Sequence, residues 1–240
     1  MDVGDPGSVL RAETPHGRLV LHLRGGARPG ATLILGGTIL MDSDVAASEE
    51  LLARESLAAR RGPRAARRVR ALVAGLGLGI TLRELLRERR VASVLVVELF
   101  AALVDWNRGP LAALNGGALA DQRVTCRVGD VRGLLESPPG EEQAPFDLLL
   151  FDIDNGPTWL SVPANAWLYS AAGLRRVAAW SAPGGVAAFW ATEPSAGFEG
   201  ELARLGLPWR SERVDWVEPA SGRLLDYYLY LVGAGPEAGR

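Results

Sequence analysis

Apolar residues follow two different spacings at the start of the chain. Residues 17–24 alternate between apolar and polar side chains, as a half-buried β-strand does, and residues 31–41 carry a second strand pattern interrupted by Gly36-Gly37. A glycine pair between two apolar runs favours a tight turn, so these residues predict a small antiparallel element. Residues 46–60 then place leucine and alanine at helical spacing and predict a helix.

From residue 69 onward, short apolar blocks alternate with helix-like segments. The predicted strands cover residues 69–74, 93–98, 123–128, 146–151 and 186–191, and the predicted helices cover residues 81–89, 101–114, 131–136 and 168–180. Pro183-Gly184-Gly185 is the expected end of the last helix. Strands that are apolar throughout and alternate with helices indicate a parallel sheet covered on both faces.

The end of the chain departs from this alternation. Residues 209–217 and 226–232 are two further strand patterns, and Glu218-Pro219-Ala220-Ser221-Gly222 between them is a hairpin turn signal. A parallel sheet that finishes in an antiparallel hairpin is the arrangement of Rossmann-like enzymes that use S-adenosylmethionine. We therefore expect an α/β fold of the class I methyltransferase type over residues 63–240. Residues 1–62 are expected to form a small N-terminal β element and its lead-in helix.

Three glycines, Gly75, Gly77 and Gly79, fall where a buried strand is expected to turn into a helix. Glycine lets the backbone approach a ligand closely, and the helix that follows presents unpaired N–H groups, so the junction is a candidate nucleoside site. A tight strand-to-helix connection with no ligand is the alternative. Glu98 ends the next strand about 20 residues later, the offset at which a carboxylate reaches the hydroxyl groups of a ribose.

Composition narrows the classes of function. The 240 residues are 48% hydrophobic, so the chain suits one full-sized domain. Its net charge of -2 gives no electrostatic reason to bind nucleic acid or an anionic membrane. The arginines between residues 60 and 70 are interpreted as a solvated helix end and linker.

The first residues lack the pattern of a signal peptide, and no run reaches the ~20 apolar residues of a membrane span. A cytoplasmic protein is therefore expected.

Few residues are available for metal binding or nucleophilic catalysis. Cys126 is the single cysteine and lies in an apolar run, which predicts a packed strand residue. His16 and His22 are the only histidines, and both are far along the chain from the glycines. A Ser-His-Asp triad, a cysteine zinc site and a multi-histidine metal site are therefore not expected.

Acidic residues follow two of the predicted strands, at the sheet edge where ligands gather in such folds. Asp130 is a candidate both for capping the next helix and for contacting a ligand. Asp152 and Asp154 are candidates for attracting a cationic amine, with one of them accepting a proton as nitrogen attacks a sulfonium donor. Turn hydrogen bonds within the loop are the alternative for Asp154.

Aromatic residues leave two interpretations open. Trp159, Trp167 and Tyr169 follow the acidic loop and are candidates for the wall of an acceptor pocket or for packing. Trp106 and Trp180 fall within predicted helices and are expected in the core.

From about residue 12 to residue 232 the chain resembles the spermidine synthase-like proteins, a branch of the aminopropyltransferase and methyltransferase superfamily. The motifs that carry the resemblance, in order and spacing, are Gly37-Thr38-Ile39-Leu40-Met41-Asp42-Ser43, Ser48-Glu49, the loop 75–79 with Thr81-Leu82-Arg83-Glu84, Glu98, Gly129-Asp130 and the loop 152–157. The resemblance implies that Glu98 binds the ribose, Asp130 the adenine end, and that Asp152 is the catalytic carboxylate. It also implies a homodimer that pairs through the N-terminal parts.

Two departures from the family bear on the transferred group. Leu78 stands where spermidine synthases carry an aspartate that holds the donor's terminal ammonium. Leu51-Leu52-Ala53-Arg54-Glu55 stands where they carry Tyr-His or Tyr-Gln for the diamine. Both losses favour a donor that retains its carboxylate, which is ordinary S-adenosylmethionine.

The leading hypothesis is a transferase that uses S-adenosylmethionine or its decarboxylated form to alkylate a small-molecule amine, with an aminopropyl group by resemblance and without a metal. The alternatives are a methyltransferase acting on a small molecule and a nucleoside-binding homologue without catalysis. An NAD-dependent dehydrogenase fits the terminal hairpin and the acidic loop less well. The acceptor stays open, because the residues that would select it lie where the chain departs from the family.

Overall fold

Two β-sheets organise the chain. The computed structural model describes residues 7–26, 29–60, 68–137, 139, 145–217, 222 and 224–233. The smaller sheet is an antiparallel meander of β1 (Val9–Thr14), β2 (Gly17–Arg24), β3 (Gly30–Leu35) and β4 (Thr38–Asp42), paired in chain order. The strand prediction for this part is confirmed, including the turn at Gly36-Gly37.

The larger sheet follows strand–helix alternation. After α1 (Ala47–Ala59), its elements are β5 (Val69–Ala74), α2 (Ile80–Arg87), β6 (Val91–Glu98), α3 (Ala101–Arg108), α4 (Ala112–Asn115), β7 (Val124–Val128), α5 (Val131–Glu136), β8 (Phe146–Phe151), α6 (Ala171–Trp180), β9 (Ser181–Ala191), α7 (Ala196–Arg204), β10 (Trp209–Val217) and β11 (Leu224–Val232). Short 3-10 helices lie at Ser43–Val45, Ala118–Ala120 and Pro163–Trp167.

The strand order of the larger sheet is β10-β11-β9-β8-β5-β6-β7. The pairs from β9 to β7 are parallel, and β11 is antiparallel to both β9 and β10. This is the expected class I methyltransferase type of sheet with its terminal hairpin. Since β5 pairs with β6 on one side and β8 on the other, the order reverses at β5, and a crevice opens outside the carboxyl ends of these strands.

Both faces of the larger sheet are buried. One face packs against α1 and α2 through aliphatic residues such as Leu52, Leu85 and Leu150. The other packs against α5, α6 and α7 through a cluster rich in aromatic rings, in which Trp180 is fully buried as expected for the core. Each such side chain contributes roughly 1.5–3 kcal/mol when it is fully buried, so the two layers hold the sheet in place.

A third cluster joins the two sheets. Leucines from β2 and β3 pack on Leu78 and Ile80, at the start of α2, and on Leu103 of α3, while Trp106 lies partly buried at the edge. The smaller sheet is thereby seated over the carboxyl ends of the parallel strands.

Three elements differ from the sequence prediction by a break or by three residues or more. The helix predicted over residues 101–114 is broken into α3 and α4, because Gly109 ends the first helix and Pro110 follows it without an N–H donor. The helix predicted from residue 168 begins at Ala171, where the Ser170 side chain caps it. Strand β9 starts at Ser181 and includes Pro183-Gly184-Gly185, which shift its register against β8.

Two elements were not anticipated from the pattern of apolar residues. Helix α7 contains two glycines and buries only Phe198 and Leu202, which is too little periodicity to stand out. Strand β1 is short and has no fully buried residue, so it shows no clean alternation.

The arginine cluster was interpreted as solvated, and for Arg60 this is wrong. Its side chain is buried and pairs with Asp147 on β8 at 3.3 Å. Arg70 lies with its guanidinium carbon 4.8 Å from the centre of the Phe146 ring, and Arg68 is exposed. The other arginines of the cluster, the boundary near residue 62 and the turn at residues 218–221 lie outside the described residues, so the division into two domains stays a proposal.

Among the residues that the structure describes, no helix is long and apolar enough to cross a membrane. They also contain no cluster of three or more His, Cys, Asp or Glu side chains that could hold a metal ion.

Candidate active site

A cleft opens at the carboxyl ends of β5, β6 and β8. Its empty volume, including the open mouth, is about 840 Å³, which is within the usual size of a small-molecule site. Leu33, Leu40 and Met41 of the smaller sheet form one wall. The predicted site residues that line the cleft are Gly75, Gly77, Glu98, Asp130, Asp152 and Asp154.

The glycine loop is shaped mainly by close contacts within the protein. Gly75 has a φ of 85°, and a Cβ added there would overlap the carbonyl oxygen of Asp152. Gly77 has a φ of 50°, and a Cβ there would overlap the Met41 sulfur. The left-handed backbone favours glycine at both positions, and the backbone contact adds a second reason at Gly75, whereas at Gly77 the flexible Met41 side chain could move.

Gly79 has a different environment. It precedes α2 with a φ of 81° and does not line the cleft. A Cβ there would meet Asn107 and Asn115, and Asn107 also donates a hydrogen bond to the Gly77 carbonyl oxygen at 2.9 Å. Gly79 therefore supports the loop through packing instead of facing the proposed donor.

Leu78 also points away from the cleft. Its side chain is completely buried in the cluster that joins the two sheets. The position expected to hold a carboxylate in spermidine synthases thus belongs to the hydrophobic core of this protein.

Glu98, at the end of β6, ties the glycine loop to the strand end. Its Oε2 accepts a hydrogen bond from the Leu76 amide and its Oε1 accepts one from the Phe100 amide, each at 2.7 Å. Burial raises the pKa of this carboxyl, and the backbone donors oppose that shift. A carboxylate held in this way retains lone pairs for ribose hydroxyl groups on the cleft side.

Asp130 carries out the capping role that the sequence suggested. Its Oδ1 accepts a hydrogen bond from the Arg132 amide at 2.8 Å and so satisfies one unpaired N–H at the start of α5. The residue is exposed and also lines the cleft, so the cap leaves the second oxygen available to a ligand.

Asp152 lies directly after β8, at the floor of the cleft. Its Oδ2 accepts a hydrogen bond from the Thr81 hydroxyl at 2.8 Å. Burial raises the pKa of Asp152 to about 6, against the lowering effect of that hydrogen bond. The carboxyl is therefore close to its own pKa at neutral pH, as a general base should be.

Asp154 reaches the cleft with its carboxylate already occupied. It accepts hydrogen bonds from the Ser161 amide at 2.7 Å, Asn165 Nδ2 at 3.0 Å and the Tyr169 hydroxyl at 3.3 Å. Burial raises its pKa, and these donors work against the shift. The side chain fixes the loop after β8, which matches the alternative of local hydrogen bonding better than proton transfer to a substrate.

Glu49 is a site residue that the sequence analysis did not assign. It lies in the first turn of α1, is 6% exposed, lines the cleft and accepts a hydrogen bond from the Ser48 hydroxyl at 2.6 Å. Burial, and then the charge of Asp152, raise the pKa of Glu49 to about 8. The sequence could have indicated this position, because Glu49 precedes Leu52 by three residues and Ala53 by four. At that spacing it shares the buried face of α1 with them.

The aromatic candidates divide between packing and solvent. Trp159 is 57% exposed and Tyr169 is buried beneath the loop, and neither lines the cleft. Trp167 packs at the edge of the core, with the Arg132 guanidinium carbon 5.1 Å from its ring centre. Trp190, which was not singled out from the sequence, lines the cleft instead, and its indole N–H is buried without a partner among the described residues.

The charged side chains described along the cleft are all acidic. Five carboxylates line it, and the described lining residues include no lysine, arginine or histidine. Cys126 stands apart on β7, partly buried, with a thiol pKa raised by burial, as expected of a packed strand residue.

Comparison with solved structures identifies the fold. Spermidine synthase from Thermotoga maritima matches over 94% of this chain and 72% of its own, with a TM-score of 0.72 and 16% sequence identity. A spermidine synthase in complex with the transition state analogue AdoDATO matches over 92% of this chain and 71% of its own, with a TM-score of 0.68 and 16% identity. The expected resemblance to spermidine synthases is confirmed for the fold.

Sequence comparison points the same way over part of the chain. A polyamine aminopropyltransferase of Mycobacterium tuberculosis H37Rv is 32% identical over 127 residues, which are 51% of this chain and 23% of that protein. Polyamine aminopropyltransferase 2 of Hyperthermus butylicus is 30% identical over 126 residues, 52% of this chain and 39% of that protein. The chain thus spans less than half the length of the curated relatives it matches. No family model matches it.

Proposed function

We propose that this protein is an aminopropyltransferase that moves the aminopropyl group of decarboxylated S-adenosylmethionine to a small amine. The observation that carries the proposal is the cleft lined by five carboxylates without a basic side chain among its described residues. The likeness to spermidine synthases and polyamine aminopropyltransferases supports the same reaction class.

The charge of the cleft distinguishes the two candidate donors. Decarboxylated S-adenosylmethionine carries a sulfonium and an ammonium and no carboxylate, so every charge on it is attracted by the cleft. Ordinary S-adenosylmethionine adds a carboxylate, and two like unit charges about 6 Å apart repel by roughly 3 kcal/mol at an effective dielectric constant of about 20. This argument opposes the preference for the carboxylated donor that Leu78 suggested from the sequence.

We assign the proposed ligand contacts to residues that line the cleft. Glu98 would accept hydrogen bonds from the ribose hydroxyl groups, and Asp130 would accept one from the exocyclic amine of adenine. Gly75 and Gly77 would let the backbone approach the donor. Asp154 would act indirectly by holding the loop that carries Asn155 and Ser161 along the cleft.

The chemistry is an in-line displacement at carbon. The nitrogen of the acceptor attacks the carbon next to the sulfonium, a C–N bond forms, the C–S bond breaks, and the electron pair leaves with sulfur as methylthioadenosine. An amine is mostly an ammonium ion at neutral pH, so it must lose a proton before it attacks. Asp152, whose pKa is raised to about 6, would accept that proton.

Calorimetric titration with four nucleosides tests this function. The ligands are S-adenosylmethionine, its decarboxylated form, methylthioadenosine and S-adenosylhomocysteine. Tighter binding of the decarboxylated donor and of methylthioadenosine is expected. Preference for the carboxylated pair would instead support the methyltransferase alternative, and binding of these nucleosides without turnover of any amine tried would support a non-catalytic homologue.

The homodimer and the cytoplasmic location expected from the sequence remain proposals. One chain has a mass of 25.5 kDa, so a homodimer would have twice that mass in solution. Light scattering coupled to size-exclusion chromatography measures that mass directly, and a monomer at micromolar concentration would contradict the proposal.

A further inference from the structure

Glu49, which is buried, and Asp152, which is half-buried, line the same cleft, and no basic side chain lines it among the described residues. Glu49 comes from α1 and Asp152 from the end of β8, and both line the same cavity. The hydrogen bonds they accept from side chains come from the hydroxyl groups of Ser48 and Thr81. Among the described residues neither carboxylate forms an ion pair.

The neighbouring charges are engaged elsewhere. On α1, Glu50 pairs with Arg54 and with Arg83 of α2, and Arg54 pairs with Glu84 of α2. On β8 the other charged residue, Asp147, pairs with Arg60 at the far end of the strand. Strand β9, which also packs against α1, carries no charged residue. The charges that raise the pKa of Glu49 are those of Asp152 and, more weakly, Glu50.

Physical chemistry favours a cation between these two groups. Buried charges in proteins are normally paired, and two carboxylates that share a site cannot both ionise easily. At neutral pH such a pair of carboxyl groups retains one proton, and a bound cation can take the place of that proton. The pKa of Glu49 near 8 and that of Asp152 near 6 agree with one retained proton, which belongs to the pair as a whole.

We propose that Glu49 and Asp152 together form the site for the reacting nitrogen of the acceptor, which enters as an ammonium ion and exchanges one proton with the pair. This inference rests on the proposed function and adds to it a second residue at the reacting nitrogen.

Protons balance through the exchange. The free pair carries one proton and the free amine is an ammonium ion, so binding expels one proton to solvent. The bound ammonium then transfers one of its protons to the pair, leaving a neutral amine beside a pair that again holds one proton. After the neutral nitrogen displaces sulfur, the product leaves as a secondary ammonium ion. Binding of the acceptor therefore releases one proton, and its affinity should increase as pH rises towards about 8.

Calorimetry of the full chain saturated with methylthioadenosine tests the exchange. The probe is 1,4-diaminobutane, titrated at pH 7.5 in phosphate and in Tris, whose different ionisation heats reveal the number of protons released. About one proton is expected for the unaltered chain. Glu49→Gln should reduce the release to near zero and weaken diamine binding about tenfold, with methylthioadenosine binding unchanged.

Two further variants make the test specific. Glu50→Gln removes the adjacent carboxylate, which lies outside the cleft, and should leave proton release at about one. Asp152→Asn removes the other member of the pair and should abolish the release, which keeps the test available if Glu49→Gln does not fold.

The failures are distinguishable. Methylthioadenosine that binds while the diamine does not bind, or binds with no proton release, would overturn the paired site and leave the donor assignment standing. Unchanged release in both Glu49→Gln and Asp152→Asn would do the same. Absence of methylthioadenosine binding would defeat the proposed function, and with it the role of the pair.

Discussion

Carboxylates with the same chemistry take different roles in this cleft because their hydrogen-bond partners differ. Asp154 is engaged by three donors, Glu98 is held by two backbone amides, and Asp130 caps a helix. Asp152 accepts one hydroxyl hydrogen bond and is the carboxylate at the sheet edge best suited to take a proton. Asp152 combines a single hydroxyl donor with a pKa raised to about 6, and this combination makes it the candidate for proton transfer.

Asp152→Asn tests the assignment of the base. The substitution keeps the shape of the side chain but removes its capacity to accept a proton, and general-base catalysis contributes about 10²–10⁴-fold in rate. We expect kcat to fall by about that factor while the dissociation constant of methylthioadenosine stays within about threefold. Steady-state kinetics and calorimetry measure the two quantities.

Asp105→Asn is the matched control, since Asp105 lies exposed on α3 and outside the cleft. It should leave both quantities unchanged. Retention of turnover in Asp152→Asn would show that another group takes the proton.

Three glycines of similar backbone conformation should differ in their response to alanine. Gly75→Ala combines a left-handed backbone, about 1–2 kcal/mol, with overlap on a backbone carbonyl, about 1–3 kcal/mol more. In Gly77→Ala the added methyl group would meet the flexible end of Met41, so the free energy of unfolding should fall by less than in Gly75→Ala. Gly117→Ala has open space around it and should lose only the backbone part. Urea unfolding measures all three, and equal losses would refute the argument.

Helix α7 depends on contacts made at its first turn. Ser195 caps the helix, and its amide donates a hydrogen bond to the Tyr230 hydroxyl at 2.7 Å, which in turn donates to Glu199 at 2.9 Å. Tyr230 is fully buried, and burial raises the pKa of its hydroxyl to about 12. A single hydroxyl on β11 thus joins the helix to the sheet.

Tyr230→Phe should destabilise the fold by about 1–3 kcal/mol, because it leaves the buried Ser195 amide without an acceptor. Tyr228→Phe is the control on the same strand, where the hydroxyl meets Asp226 at the surface. That change should stay within about 0.5 kcal/mol. If both variants lost the same free energy of unfolding in denaturant, the buried hydrogen bond would contribute no more to stability than the exposed one.

For the molecule as a whole, the carboxyl pair should make stability fall as pH rises. A carboxyl whose pKa is raised in the folded state binds protons more tightly there than in the unfolded chain, so its effect is a loss of stability between the unfolded pKa near 4 and the folded pKa. The pH range over which stability is lost extends to about pH 8 for Glu49 and to about pH 6 for Asp152. The ligand-free protein should therefore melt at a lower temperature at pH 8 than at pH 6.

Glu49→Gln should flatten this slope, and Glu50→Gln should not. Scanning calorimetry at pH 6, 7 and 8 for the three proteins measures it. A slope that persists in Glu49→Gln would place the titrating group elsewhere.

Local pattern was enough to determine most elements of the fold. The alternation of residues 17–24, the apolar blocks of the parallel strands and the glycines at positive φ all express short-range sterics, and each appears in the structure as expected. The acidic residues at strand ends also follow from local pattern, because the carboxyl ends of parallel strands meet at one edge. Helix breaks such as Gly109-Pro110 were present in the sequence but outweighed by an apolar pattern that ran past them.

Only the tertiary structure decided how the side chains of this edge are used. Packing of α1 against the sheet brings Glu49 to Asp152, over a separation along the chain that no local pattern spans. The smaller sheet packs on Leu78 and makes it part of the hydrophobic core. The residues that follow β8 surround the Asp154 carboxylate with hydrogen-bond donors. The sequence by itself determined which acidic residues stand at the ends of the parallel strands, because periodicity and turns are local. Their environments depend on elements far apart in the chain, and so the assembled fold selected which carboxylate is suited to react.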